Sequence, residues 1–224
     1  MKTPDLPINS ILSTNAESNT AFVAMIETRN DRERSDKNMN PLIAKALDEY
    51  GFIMLNQHRY LPSVCSTGET WEGFMEMIEK RQVFLTNLVE KKTTLLSPAL
   101  YAAISKEQKT IGIDSETAPI YAFVAENQPV SSENIRLSLQ WEKKATDKLV
   151  KRLESCLRIT VLKEGKRLNQ NWGTYRWGTS DKWRNDYETL YGALPDEDFE
   201  QMMTRLLKRG ISPRYCKYFS QLID

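Results

Sequence analysis

Three times in this chain an asparagine or serine stands directly before a proline: Asn40-Pro41, Ser97-Pro98 and Ser212-Pro213. Asparagine and serine side chains accept from the free N–H groups of a helix's first turn. Proline at the first helical position loses nothing, because its missing N–H would have had no intrahelical partner. Each pair therefore predicts a helix start. Leu42, Ile43 and Leu47 follow the first at helical spacing until Gly51, and the second opens a short helix to about Glu107. After the third, Tyr215, Tyr218, Phe219 and Leu222 define an inward face.

Periodicity adds further helices. Trp71, Phe74, Met75, Ile78, Leu85, Leu88 and Val89 predict one long helix over 70–92. A helical period returns over about 134–157. Phe199, Met202, Met203, Leu206 and Leu207 form another stripe, with acids 196–198 before it and Lys208-Arg209-Gly210 closing it. The β signals are shorter. Residues 52–56 read as a buried strand or a further helical turn. Residues 110–113 and 119–125 are β-favouring, with Ile120, Tyr121, Phe123 and Val124 as a small sheet element. Residues 158–162 read as a strand turning at 163–166.

The predicted fold is mainly α with minor β, of the α+β class: a helical domain with a small sheet or hairpin element and a flexible N-terminal arm. The arm covers 1–40, where the charged run 29–40 stays solvated and 20–27 is one anchoring element. A loop at 128–132 separates a helical subdomain, 41–130, from a basic and aromatic one, 131–224, the two packing as one unit.

At 224 residues the chain can bury a core without disulfides or structural metal. Its longest nearly unbroken apolar run, Ala118 to Ala125, is far short of the roughly 20 residues a membrane helix needs. The start lacks the apolar region of a secretory leader. Cys65, Cys156 and Cys216 are odd in number and far apart, which fits a reducing compartment and a cytoplasmic location.

Enzyme signatures are missing. There is no GxxxxGK[ST] or GxGxxG phosphate loop and no GxSxG elbow. Any Ser-His or Cys-His mechanism must use the single histidine, His58, which beside Arg59 and Tyr60 reads as a surface or capping residue. Three scattered cysteines and one histidine make no zinc site. Glu72, Glu76 and Glu79 share one side of a helix but read as a solvated face. No catalytic residue, metal or cofactor is expected.

The charge distribution carries the functional signal. The formal net charge is +1, yet residues 141–185 hold twelve basic side chains against five acidic ones. On a helical projection from Trp141, Leu149, Val150, Leu153, Cys156 and Leu157 fall on one side. Lys143, Lys144, Lys148, Lys151 and Arg158 fall on the other. Next, Trp172, Tyr175, Trp177 and Trp183 interleave with Lys166, Arg167, Arg176, Lys182 and Arg184 in what reads as a loop or short hairpin. Lysine and arginine neutralise phosphates, and flat side chains stack on exposed bases. Tryptophans mostly bury their surface, so at least two of Trp172, Trp177 and Trp183 belong to the core.

These features predict DNA or RNA binding by a non-catalytic subunit of a nucleoprotein complex. The Lys and Arg residues contact phosphate, while Trp172, Tyr175, Arg176, Trp177 and Arg184 stack on or edge against bases. The rival reading is a protein–protein adaptor or inhibitor using the same surface. A third is a metal-dependent nuclease, for which the acidic-x-Lys pairs occur little above chance. The last two helices also read as a helix-turn-helix, with Arg214, Lys217 and Gln221 outward.

Overall fold

The cap-and-proline pairs mark real helix starts. In the computed structural model, which describes residues 39–108, 113–170 and 172–223, the Asn40 side chain accepts from Leu42 N at 3.0 Å and begins α1 (Pro41–Tyr50). Ser97 accepts from Leu100 N at 3.1 Å and begins α3 (Pro98–Glu107). α9 (Pro213–Ser220) starts after Ser212, whose side chain makes no capping bond. Apart from Met39 and Asn40, the arm read over 1–40 lies outside the described residues, as do 110–112.

Between these starts come β1 (Phe52–Met54), α2 (Trp71–Glu79), β2 (Phe84–Thr86) and β3 (Thr94–Leu96). After α3 follow α4 (Ala118–Asn127), β4 (Val130–Ser131), α5 (Ser132–Leu139), α6 (Lys143–Ser155), β5 (Ile159–Asn169) and β6 (Trp172–Thr179). α7 (Ser180–Tyr191) and α8 (Phe199–Lys208) precede α9. The fold is α+β and helix-rich, with two antiparallel three-stranded sheets ordered β1-β3-β2 and β4-β6-β5.

The first sheet is buried on both faces, and its period of two divides the core. Ile53, Leu85 and Leu95 enter one apolar cluster, with Ile43, Phe74, Ile78, Val150 and Trp177. Phe52, Met54, Phe84 and Leu96 enter the other, with Tyr101, Leu162, Trp183 and Phe219. Each cluster draws on chain from both sides of residue 130.

One hydroxyl joins the sheets. β2 is an edge strand, and Leu85 turns its free backbone groups outward toward β5. There the Thr160 hydroxyl accepts from Leu85 N–H at 3.1 Å and donates to Leu85 C=O at 2.8 Å, inside the core. The open edge of β5 is also occupied: Arg81 Nη1 donates to Leu162 O at 2.7 Å, and Glu79 accepts from Glu164 N at 3.0 Å. Side chains thus close edges that would otherwise pair with another chain.

Several expected elements differ. The long helix over 70–92 is α2 alone; Arg81 adopts a left-handed φ of 59° and the chain turns back into β2. A short strand buried on both faces is a continuous apolar run, which periodicity cannot separate from a helix stripe. The β-favouring stretch 119–125 is helical, because Pro119 suits a first turn and Ile120 and Val124, one helical turn apart, are both buried. The helix expected over 134–157 is two, α5 and α6, broken where Gln140 turns left-handed. No turn occurs at 163–166; β5 runs on to Asn169, and of the two readings of 166–184 the hairpin holds and the loop does not, the segment being the end of β5, β6 and the start of α7. At Gly178, β6 passes against Leu162, and a Cβ would overlap that side chain. Gly178→Ala is expected to cost about 1–3 kcal/mol, read by thermal melting.

Candidate nucleic-acid interface

α6 is amphipathic, and its two sides do different work. Thr146, Val150, Leu153 and Glu154 face inward. Thr86 Oγ1 donates to Glu154 O at 2.9 Å, and Asn87 Nδ2 donates to Lys151 O at 3.2 Å, so the end of β2 fixes the helix. Outward, Lys143, Lys144, Lys148 and Lys151 line an open depression together with Asp147. All four lysines are exposed. Among the described residues none of them forms an ion pair.

The inward side contains a buried acid. Glu154 is 6% exposed, and its carboxyl accepts from Asn87 Nδ2 at 3.0 Å. Burial pushes its pKa up to about 8, partly opposed by Lys151. Burial likewise raises the Tyr175 phenol, with the Glu154 charge adding to it. Neither the Tyr175 hydroxyl nor Asn87 Oδ1 has a hydrogen-bond partner among the described residues.

The rest of the basic segment divides into committed and available groups. Arg152 pairs with Asp114 at 2.5 Å and Glu116 at 3.2 Å. Arg167 holds Glu72 and Glu164 and donates to Asn169 O and Gln170 O, so its whole fork is spent within the hairpin and on α2. Lys182 pairs with Asp186, which Arg81 also holds. Arg158 is half-buried near the Tyr121 phenol, which burial and Asp181 raise and Arg158 opposes, and Arg184 reaches buried Tyr101. Lys166 and Arg176 are exposed on the hairpin and enter no ion pair among the described residues.

The aromatics divide too. Trp183 is fully buried and Trp177 is 7% exposed, its Nε1 donating to Ser132 Oγ at 2.9 Å. Tyr175 stacks on Trp71 with centroids 6.0 Å apart. Trp172 alone remains substantially open, at 49%, beside Trp71 and near exposed Leu168 at the hairpin tip.

Sequence reasoning missed Lys163. It is exposed and lies directly opposite Arg176 across the hairpin, with Ser131 of β4 on the other side of Arg176. Like charges at directly opposed positions repel, and a bound anion relieves that cost. The pairing becomes visible only once the turn is placed beyond Asn169.

His58 is engaged through both ring nitrogens. Its Nδ1 accepts from Tyr60 N at 3.2 Å and Leu61 N at 3.1 Å, which leaves Nε2 to donate to Glu90 at 3.3 Å. Both ring nitrogens are spent on holding the loop. Among the described residues no three His, Cys, Asp or Glu side chains gather as a metal site, and no helix is long and apolar enough to cross a membrane. No protein-family model, curated protein or solved structure matches the chain.

Proposed function

We propose that the protein binds nucleic acid, with the outer face of α6 as its phosphate-contacting surface and the hairpin as an adjunct. The supporting observation is the row Lys143, Lys144, Lys148 and Lys151, exposed on one helix and in no ion pair among the described residues. Internal pairing accounts for Arg152, Arg167 and Lys182, and leaves this row unexplained. Lys163, Lys166 and Arg176 extend the positive surface, and Trp172 offers an open ring for a base.

The test is fluorescence anisotropy with labelled single- and double-stranded DNA and RNA across roughly 50 to 300 mM salt. Wild-type protein is expected to bind, with affinity falling steeply as salt rises. Lys144→Glu, Lys148→Glu and Lys151→Glu combined are expected to weaken binding about a hundredfold and lower the salt slope by about 2 to 3. All three side chains point away from the core, so the variant keeps its fold. Unchanged affinity in it removes α6 from the interface.

A second reading rests on the hairpin tip. Leu168 and Trp172 are 55% and 49% exposed, and an open tryptophan suits a protein-binding hot spot. An adaptor would bind none of the four probes at low salt and would capture a partner that Trp172→Ala releases.

A further inference from the structure

The proposed function leaves out the best-organised basic surface outside α6. It lies where the loop after β1, the segment before β3 and the first turn of α9 meet. Tyr60 is 61% exposed, the most open large apolar side chain among the described residues. Two guanidinium groups attend its ring, Arg59 at 5.1 Å from the centroid and Arg214 at 5.8 Å. Arg214 also lies 4.4 Å from the ring centroid of buried Tyr215.

A network beneath holds this display in place. The Nδ1 of His58 caps the backbone N–H groups of Tyr60 and Leu61. Glu90 receives His58 Nε2 at 3.3 Å, Lys92 at 2.8 Å and Arg214 at 3.6 Å, so one carboxylate orients three cationic or donor groups. The hydrogen bonds from Lys92 and His58 keep the Glu90 carboxyl below its ordinary range. Glu90 and Lys91 both adopt left-handed φ, 53° and 57°, uncommon for residues with a Cβ. Lys91 is exposed and, like Arg59, enters no ion pair among the described residues.

Lys92 and Arg214 thus hold a single acid, Arg214 and Arg59 attend an open aromatic ring, and exposed Lys91 follows that acid directly in the chain. Positive charge in that excess fits an anionic backbone, and a flat ring with guanidinium planes fits unpaired bases. Bases inside a duplex could not reach the ring. The helix-turn-helix reading of α8 and α9 fits less well, because Arg214, at the start of the second helix, is folded back onto Tyr60, Tyr215 and Glu90.

We infer that the surface formed by Arg59, Tyr60, Lys91 and Arg214 is a second contact site for single-stranded nucleic acid, stacking a base at Tyr60 and holding flanking phosphates. The inference rests on the nucleic-acid reading of α6, and its test separates the two. Labelled single strands and the matching duplex are titrated against wild type, Tyr60→Ala, Tyr60→Phe, Arg59→Glu/Lys91→Glu and the α6 triple variant. Circular dichroism verifies each fold. Tyr60→Ala is expected to weaken single-strand binding about tenfold and Tyr60→Phe to restore it. Arg59→Glu/Lys91→Glu is expected to weaken it at least tenfold and to lower the salt slope by about 1.4. If wild type binds and these variants bind as tightly, the second site is overturned while the α6 interface stands. Equal losses in Tyr60→Ala and Tyr60→Phe overturn the stacking role. If wild type binds no probe, the nucleic-acid reading itself fails and takes the second site with it.

Discussion

Glu154→Gln is expected to stabilise the protein by about 4 kcal/mol near pH 8, and to do almost nothing near pH 4. In the unfolded chain this carboxyl titrates near its ordinary 4.5, whereas burial raises it to about 8 in the fold. Between those values the folded state keeps a proton that the unfolded state has released. Stability therefore falls as pH rises through this window, by about 1.4 kcal/mol per unit, and the loss is complete above the folded value. Below 4.5 both states are protonated and the group contributes no pH dependence. A glutamine amide can still accept from Asn87 Nδ2, so the packing survives the exchange. Urea denaturation of both proteins at about pH 5, 6, 7 and 8 reads the effect. Parallel stability curves over that range would show that Glu154 ionises in the fold as it does in water.

Thr160→Val is expected to destabilise the protein by about 3 kcal/mol, lowering the melting temperature by roughly 10 °C. Valine matches threonine in shape, so no cavity forms. What is lost is the hydroxyl that both accepts from and donates to Leu85 in the core. A buried N–H and a buried C=O are then left unpaired, each costing about 1–3 kcal/mol. Thr160→Ser keeps the hydroxyl and is expected to recover most of the loss. If valine melts with wild type, water replaces the hydroxyl and the sheets are joined by apolar packing alone.

The legible parts of this protein are those decided within a few residues. Asn40 and Ser97 cap helices by bonding backbone two or three positions away, so the sequence carries the whole interaction. The stripe Phe199, Met202, Met203, Leu206 and Leu207 needs only a helical repeat and a core to face; the first four are buried, and Leu207, at its margin, is exposed. The lysine row of α6 survives even though the expected longer helix breaks at Gln140. Its spacing depends on local twist and not on where the helix begins. Burial of Trp177 and Trp183 follows from the size of their apolar surface.

The remainder depended on partners distant in the chain. Leu85 belongs to a strand because Leu95 pairs with it and Thr160 meets its outer edge; nothing within a helical turn records either. Which cations are free is likewise a tertiary matter. Arg167 is spent on Glu72, 95 positions away, while Lys163 is available and stands opposite Arg176. His58, Glu90 and Arg214 are separated by long stretches of chain and share no pattern, yet folding sets the histidine and the arginine on the Glu90 carboxylate and the same arginine over the Tyr60 ring. The capped helix starts, the amphipathic faces and the local excess of positive charge follow from residue order, because caps and periodicity act through the nearest turn of backbone. Strand pairing, the raised Glu154 and the division of cations into paired and free arise only in the folded chain. Those depend on desolvation and on contacts between groups that meet only after the chain has folded.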